Sequence, residues 1–184
     1  MEKVRKTIRL SLSIIGFVFL SSCSTEVLFD FEAELQEDIA QIDQYLIENN
    51  IAAERHPTHA RYRIIDNGIG PVAEVGDTVT YLFSVYNLDN FLLVSNQQEV
   101  LAAETPFLNA LDTARTVLYD PDRVQIFPEY TQLIPALTPE GGQAEIFVPS
   151  YLAYGFSGNF SNSDVWDPFS PVMIFAEVLA IDRR

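Results

Sequence analysis

The hydrophobic pattern at the start of the chain is that of an export signal. Basic residues among the first nine positions precede residues 10–20 (LSLSIIGFVFL), a mainly apolar run of 11 residues. A membrane-spanning helix needs about 20 apolar residues, so this run is too short for a stable span. We therefore interpret residues 1–22 as a secretory signal peptide that takes no part in the fold.

The sequence that ends this run, Leu20-Ser21-Ser22-Cys23, resembles a lipobox. In a lipobox the chain is cleaved before the cysteine, whose thiol then carries diacylglycerol. Cys23 is the only cysteine of the 184 residues, so no intrachain disulfide can form. The resemblance predicts a lipid-anchored protein. The alternative is an ordinary signal peptide followed by an unmodified cysteine.

Helical periodicity begins after a short tether at 24–29. Apolar residues recur at three- and four-residue spacing, at Phe31, Leu35, Ile39, Ile42 and Leu46. Asp30 can cap the start of this helix, and Asn49-Asn50 ends it. The pattern predicts one amphipathic helix, whose apolar stripe packs either on its own domain or on a partner.

Most of the remaining chain has the apolar pattern of β-strands. We predict strands at 61–65, 78–88, 91–94, 144–148 and 172–181, with an irregular linker at 56–59 (HPTH). Residues 97–130 are harder to interpret and have helical character near 107–116. Because strands dominate over one or two helices, we predict an α+β fold with an antiparallel sheet. The predicted segments are the signal (1–22), the tether, helix and linker (23–59) and the domain (60–184).

The charge balance restricts the partners. The chain holds 11 basic and 26 acidic residues, and removal of the signal leaves 7 basic and 25 acidic ones, a net charge of about −18. Such a surface repels phosphate backbones, which argues against nucleic acid as a partner. It also repels anionic lipid headgroups, so attachment to a membrane is predicted to depend on the acyl chains.

Three sequence blocks in fixed order carry a family resemblance. They are the opening strand, turn and next strand start at 62–79 (YRIIDNGIGPVAEVGDTV), the segment 148–155 (VPSYLAYG) and the last strand at 171–181 (PVMIFAEVLAI). Together they resemble an FKBP-type peptidyl-prolyl isomerase domain over about residues 60–182. The resemblance implies a twisted antiparallel sheet wrapped around a short helix, here preceded by the N-terminal helix. Similar lipid-anchored proteins with a preceding helix occur in Bacteroidota, some of them linked to gliding motility.

The reaction of this family is rotation about an X-Pro peptide bond. The barrier is about 18–20 kcal/mol because the amide is conjugated, and unaided exchange takes tens of seconds or longer. The barrier falls when the bond leaves water for an apolar pocket and its carbonyl is held twisted. Neither a nucleophile nor a cofactor is needed, so the expected site is aromatic and aliphatic with a few hydrogen-bonding groups.

The resemblance implies a set of substrate-binding residues. Tyr154 matches the family's A-Y-G tyrosine, whose hydroxyl contacts the substrate backbone, and Phe175 matches an aromatic wall in the last strand. Phe83 stands where the family usually has a tyrosine. Leu93 and Val94 stand at the family's F-D pair, so the carboxylate that lies near the twisted carbonyl is missing.

Two further positions depart from the family pattern. The floor segment V-I-x-G-W has its nearest counterpart at 127–131 (FPEYT), which adds Phe127 to the predicted site. This alignment puts Thr131 in place of the floor tryptophan, with Tyr130 able to fill the space. Trp166, the only tryptophan, lies in the loop that forms the family's flap, where it caps the pocket, meets a partner or tucks down.

Other chemistries find little support in the sequence. His56 and His59 are the only histidines, and we expect exposed loop residues because no cysteine or third histidine accompanies them. Their position before the domain also disfavours a Ser-His-Asp arrangement. The Asn and Asp residues at 159–167 fit no EF-hand spacing, so we interpret them as loop composition.

Two functions follow from these observations. The first is an isomerase that assists the folding of exported proteins by binding their proline-containing segments, with weak turnover because of the altered site. The second is a non-catalytic module that uses the same scaffold to bind a protein partner in an envelope complex. Either is expected in the cell envelope, and Ser24 after the cysteine is compatible with the outer membrane, facing the periplasm.

Overall fold

A computed structural model of the chain describes residues 30–97, 114–120, 130–153 and 169–184. The helices are α1 (Phe31–Glu48) and α2 (Tyr130–Leu137), and a 3-10 turn covers Ser150–Leu152. The strands are β1 (Glu54–Arg55), β2 (Arg61–Asp66), β3 (Thr78–Asn87), β4 (Leu92–Ser95), β5 (Arg115–Leu118), β6 (Gln143–Val148) and β7 (Val172–Asp182).

The described strands form one antiparallel sheet of seven strands in the order β1-β2-β6-β7-β3-β4, and β5 pairs with the first half of β3. The two longest strands, β3 and β7, pair along their whole length, from Thr78 opposite Asp182 to Asn87 opposite Val172. This sheet, the short helix α2 and the N-terminal helix α1 confirm the predicted α+β class.

One face of the sheet, called here the inner face, holds the main core. Its β3 and β7 side chains are buried at every second position, at Val79, Tyr81, Phe83, Val85, Val172, Ile174, Ala176 and Val178. Leu133 and Ile134 of α2 belong to the same cluster. The branched and aromatic residues of the two strands favour extended backbone and pack well on a pleated surface. The sheet therefore encloses α2 from this side.

The opposite, outer face is covered by α1. Phe147 of β6 lies opposite Met173 of β7 in the ladder, and these side chains lie on the outer face. Ile42 and Leu46 of α1 pack on Phe147, and all three are buried. The predicted apolar stripe is thus confirmed, and it docks on its own domain: α1 and the sheet belong to one compact unit. Neither described helix is long and apolar enough to cross a membrane.

A buried guanidinium connects α1 to β2. Arg61 donates from Nε to Asp43 Oδ1 at 2.8 Å and from Nη2 to Asp43 Oδ2 at 3.1 Å. Its Nη1 donates to the carbonyl of His59 at 2.7 Å. Because Arg61 is only 5% exposed, removing Asp43 would leave a buried charge without its carboxylate. The bidentate geometry fixes where α1 lies along the sheet.

The glycines of the G-x-G-P motif are required by close backbone packing. Gly68 has φ +58°, and a Cβ there would lie 2.3 Å from the carbonyl oxygen of Glu140. The same oxygen accepts from the backbone N–H groups of Ile69 and Gly70 at 3.0 and 3.2 Å. This turn therefore packs directly on the turn that joins α2 to β6, and only glycine fits at residue 68.

One segment differs from its predicted structure, and the irregular linker is found as predicted but inside a hairpin. Arg115 and Thr116, predicted helical, belong to β5, which fills the edge of β3 that β4 leaves unpaired. Residues 107–113 of that prediction lie outside the described residues. The predicted linker at 56–59 is the loop of a β1–β2 hairpin, closed by a hydrogen bond from His56 N–H to the Ala60 carbonyl at 2.9 Å. For β5, pairing with residues of β3 more than 30 positions away decides a structure that local composition leaves open.

Candidate functional site

The candidate site is centred on the segment that follows β6. This strand ends at Val148, and Pro149 turns the chain into the 3-10 turn. Leu152 N–H donates to the Pro149 carbonyl at 3.1 Å, and Ala153 N–H donates to the Ser150 carbonyl at 3.0 Å. Leu152 and Ala153 are buried in the inner cluster. The turn is thus held in place at the end of the sheet as far as Ala153.

A carboxylate from α1 holds this turn. Asp38 Oδ2 accepts from the Ser150 backbone N–H at 2.8 Å and from the Ser150 hydroxyl at 2.7 Å. Asp38 is 1% exposed, and no described residue forms a hydrogen bond with its other oxygen, Oδ1. Burial raises the pKa of the Asp38 carboxyl above its usual value. The two bonds from Ser150 lower it, and the nearby charges of Glu34 and Glu37 raise it further.

Asp38 was missed at the sequence level, although a signal was present. It lies three residues after Leu35 and four before Ile42, so it belongs to the apolar stripe of α1. A charged residue at such a position is either unpaired at high cost or bonded to a specific partner. The partner, Ser150, is 112 residues away in sequence, so no local pattern could identify it.

Tyr151 attaches the turn at two more points. Its hydroxyl donates to the carbonyl of Thr58 at 2.7 Å, in the β1–β2 loop. Its ring makes an edge contact with the ring of Phe31 at the start of α1, with centroids 5.6 Å apart. Together with Asp38, these contacts attach the turn to α1 and to the β1–β2 loop, two parts of the chain that precede the family resemblance.

Phe83 and Leu93 are associated with the buried cluster to which Leu152 and Ala153 of the turn belong. Phe83, on the inner face of β3, is 6% exposed and belongs to the same buried cluster as Leu152 and Ala153. Leu93 of β4 is partly buried and packs against that cluster. Asn96 then continues the ladder beyond β4: its side-chain oxygen accepts from Phe83 N–H at 2.6 Å. Asn96 therefore holds the backbone of β3 at Phe83 on the edge that faces away from β7, between the residues of β3 that pair with β4 and those that pair with β5.

Val94 differs from Phe83 and Leu93 in its exposure to solvent, and Phe175 differs from them in the face of the sheet on which it lies. Val94 pairs with Val85 on the edge strand β4 and is 37% exposed, so it offers an apolar, solvent-facing side chain where the family has a carboxylate. Phe175 lies opposite Ser84 in the ladder, whereas Phe83 lies opposite Ala176. Since side chains alternate between faces, Phe175 is on the outer face and does not meet Phe83.

The inner-face residue of β7 at this level is Ile174. It is fully buried and lies opposite Val85 on β3 and Ile146 on β6. The family match assigned the inward-facing position of β7 to Phe175, whereas the inner face is occupied by the preceding residue, Ile174. The alternation of buried residues at 172, 174, 176 and 178 was the signal that identifies the inward set.

Several predicted residues lie outside the described part of the chain. These are Cys23, Phe127, Tyr154 and Trp166, and their roles stay predictions. Thr131 is described: it is completely buried in α2. A threonine therefore stands inside the domain at the position aligned with the floor tryptophan, with far less apolar volume.

Tyr81 adds a buried hydroxyl next to Phe83. Its ring lies 5.9 Å from that of Phe83, between centroids, and the residue is 0% exposed. Among the residues that the structure describes, this hydroxyl has no hydrogen-bond partner. Burial raises the pKa of Tyr81 to about 12, and the positive charge of Arg115 lowers it slightly. The phenol therefore stays protonated at neutral pH as an unused donor inside the inner cluster.

The polar groups near the site offer little else for chemistry. His56 Nδ1 lies 2.8 Å from the Thr58 hydroxyl, and its pKa is lowered by burial. Within the described ranges, no group of three His, Cys, Asp or Glu side chains could hold a metal ion. What the described residues assemble is a buried apolar cluster that contains the rings of Tyr81 and Phe83.

Comparison with known proteins supports the fold at low sequence identity. No protein-family model and no curated protein matches the chain. Among solved structures, FkpA from Escherichia coli matches with a TM-score of 0.56 and 17% identity, over 82% of this chain and 62% of that one. A peptidyl-prolyl cis-trans isomerase from Pseudomonas syringae matches with a TM-score of 0.55 and 16% identity, over 85% and 98% of the two chains.

A plant domain gives the same result. The N-terminal domain of FKBP42 from Arabidopsis thaliana matches with a TM-score of 0.54 and 20% identity, over 72% of this chain and 93% of that one. At such identities the likeness establishes the fold alone, and the chain has an FKBP-like fold. It spans less than two thirds of FkpA, 62% of that chain.

The unpaired hydroxyl of Tyr81 leads to a prediction about stability. Tyr81→Phe is expected to leave the free energy of unfolding at pH 7 unchanged or to raise it by up to about 2 kcal/mol, because a buried unpaired hydroxyl costs about that much. The raised pKa makes the wild type lose stability as the pH rises from 10 towards 12, since the unfolded chain ionises first. At about pH 11.5 the Phe variant should therefore gain a further ~2 kcal/mol over the wild type.

Urea unfolding followed by circular dichroism measures both effects. Tyr45→Phe is the control. The Tyr45 hydroxyl lies on the other side of the sheet and donates to Asn90 Oδ1 at 3.3 Å, so its removal should not increase the free energy of unfolding. A loss of more than about 1 kcal/mol at pH 7 in Tyr81→Phe would show that the Tyr81 hydroxyl has a partner, contrary to this account.

Proposed function

We propose that this protein is an FKBP-type peptidyl-prolyl isomerase-like lipoprotein that assists the folding of exported proteins, with weak turnover. The observation that carries the proposal is the position of the turn at 150–153. This turn precedes Tyr154 in the sequence, and its residues Leu152 and Ala153 belong to the same buried cluster as Phe83, in an FKBP-like fold. Leu93 packs against that cluster. The expected ligands are proline-containing segments of exported proteins.

The proposed mechanism uses desolvation and shape. An X-Pro bond that enters an apolar bed loses the water that stabilises its conjugated, polar ground state, and rotation about the bond becomes easier. The Tyr154 hydroxyl, by family resemblance, holds the substrate backbone while the proline ring rests on the apolar residues. No proton transfer or covalent step is involved, so histidines and metal ions have no part in it.

Weak turnover is proposed because polar groups of the family's site are replaced. Val94 supplies no carboxylate near the twisted carbonyl, and Phe83 retains a ring without a hydroxyl. Thr131, buried in α2, replaces a large floor residue with a small one. The apolar environment is retained, whereas electrostatic stabilisation of the rotating bond, often the larger contribution to catalysis, is reduced.

A second candidate function is a non-catalytic module that binds a protein partner in the cell envelope. It is favoured by the filling of the inner face: Tyr81 is 0% and Phe83 6% exposed, and Leu93 packs against the same cluster. A scaffold whose rings are committed to its own core leaves less surface for a proline ring. Fold alone does not choose between the two functions.

Isomerase activity is tested on residues 24–184 with a refolding protein whose slow step is an X-Pro bond. We expect the domain to accelerate the slow phase and Tyr154→Phe to lower kcat/KM about tenfold, the effect of one hydrogen bond of about 1.4 kcal/mol. Tyr62→Phe is the matched control, since its hydroxyl donates to Glu54 at 2.8 Å near the β1 edge of the sheet. It should leave the rate unchanged.

The outcome decides between the two candidates. Acceleration that Tyr154→Phe reduces and Tyr62→Phe does not supports the isomerase. If wild-type protein with a folded circular dichroism spectrum leaves the slow phase unchanged, the catalytic proposal fails for that substrate, and the binding module becomes the better description.

We also propose that the domain is held at the outer membrane, facing the periplasm, by a lipid on Cys23. The basis is the lipobox-like sequence Leu20-Ser21-Ser22-Cys23 after an 11-residue apolar run. A single acyl chain gives only marginal attachment, whereas two or more chains anchor a protein stably. With a net charge of about −18 after removal of the signal, the domain itself should not adhere to anionic lipid.

The anchor is tested by Cys23→Ser. Full-length wild type expressed in a bacterium should incorporate a fatty-acid label and sediment with membranes, while the variant should be unlabelled and should no longer sediment after the membranes are washed. Separation of inner and outer membranes then tests the proposed location. A wild-type protein without label, or a variant that remains bound as well as wild type, would refute the lipid anchor.

A further inference from the structure

The N-terminal helix α1 contacts the candidate site directly. Asp38, on the face of α1 that packs on the domain, accepts two hydrogen bonds from Ser150, the first residue of the turn. We propose that Asp38 is a positioning residue, which holds the turn at 150–153, where the segment proposed to bind substrate begins. This inference deepens the proposed function and rests on it.

The hydrogen bonds between Asp38 and Ser150 fix the position of the turn and do more than attach α1 to the domain. One oxygen, Asp38 Oδ2, receives both the backbone N–H of Ser150 at 2.8 Å and its hydroxyl at 2.7 Å. A backbone bond fixes the main chain of the turn, and the hydroxyl bond fixes the rotation of the serine side chain. Charged acceptors make stronger and shorter hydrogen bonds than neutral ones, so displacement of the turn is opposed.

Few residues separate this contact from Tyr154, the residue predicted to bind the substrate backbone. Only Tyr151, Leu152 and Ala153 separate Ser150 from Tyr154, and the 3-10 turn hydrogen bonds hold these residues. A change in the position of Ser150 is therefore transmitted along this turn as far as Ala153, the residue before the predicted substrate contact. A misplacement of about 1 Å at a reacting group is enough to reduce catalysis strongly.

The carboxylate is retained at a cost, which indicates a specific role. Asp38 is 1% exposed, and Oδ1 lacks a hydrogen-bond partner within the described part of the chain. The space around it, lined by Phe31, Glu34, Leu35, Ser150 and Tyr151, is too small for a water molecule. An apolar residue at this position of the buried α1 face would avoid the cost of burying a carboxylate. We therefore attribute the presence of the carboxylate to its hydrogen bonds with Ser150.

Asp43 provides a matched control on the same helix. It is also an acidic residue of α1 whose carboxylate accepts from a buried partner, but that partner is Arg61 on β2. Asp38→Ala and Asp43→Ala both remove an anchor of α1. Only Asp38→Ala removes the anchor of the turn, so the two variants separate attachment of the helix from placement of the site.

The test measures kcat/KM for an X-Pro substrate at a temperature where each variant is fully folded. Asp38→Ala is expected to lower kcat/KM about tenfold, equivalent to about 1.4 kcal/mol, and Asp43→Ala to change it less than about twofold. Asp38→Asn keeps an oxygen acceptor for Ser150 and should recover most of the loss. Equal losses in Asp38→Ala and Asp43→Ala, or no recovery by Asp38→Asn, would overturn the proposal.

Amide NMR spectra separate this inference from the proposed function. In Asp38→Ala the amide signals of residues 150–153 should shift and exchange faster, while Asp43→Ala should leave them in place. If wild type neither catalyses nor binds a proline peptide in the same spectra, the proposed function fails. A shift specific to Asp38→Ala would then still show that Asp38 positions the turn. Unchanged turn signals in Asp38→Ala refute the inference whatever the activity.

Discussion

The pairing of β3 with β7 creates a sheet with apolar side chains on both faces. Most of the remaining structure packs on these faces and shields them from water. On the inner face, alternate residues of both strands surround α2. On the outer face, Phe147 and Met173 present apolar surface that water would otherwise contact. Full burial of one large apolar side chain is worth about 1.5–3 kcal/mol. Covering the outer face with Ile42 and Leu46 of α1 therefore contributes an appreciable part of the stability of a domain of this size.

Covering the outer face has a consequence for the site. Because α1 lies on the sheet, its buried stripe reaches the end of β6, where the segment predicted to bind substrate begins. Asp38 and Phe31 contact Ser150 and Tyr151 there, while Asp43 secures the helix to β2 through Arg61. An element that sequence comparison leaves outside the family resemblance is thus connected to the centre of that resemblance, and stability and site geometry share the same contacts.

Much of the fold followed from local patterns, and the failures share one physical cause. The stripe of α1, the strands with period-two alternation and the G-x-G-P turn are local features, and the structure contains all of them. The identity of β5, the burial of Asp38 and the face occupied by Phe175 depend on which distant residue lies opposite. Thr80, Ser150 and Ser84 supply these partners across many residues of sequence. A one-residue shift in a strand alignment moves a side chain to the other face, which is why the family match placed Phe175 with Phe83.

The central claim is that α1 folds as part of the FKBP-like domain and is not an independent tether. Native-state hydrogen exchange on residues 24–184 tests it directly, because exchange reports the opening free energy of each amide. Amides of α1 around Ile42, on the buried face, should exchange with the same opening free energy as the amides of β3 and β7. An α1 that opens several kcal/mol more easily than the sheet, with β3 and β7 still protected, would contradict the account.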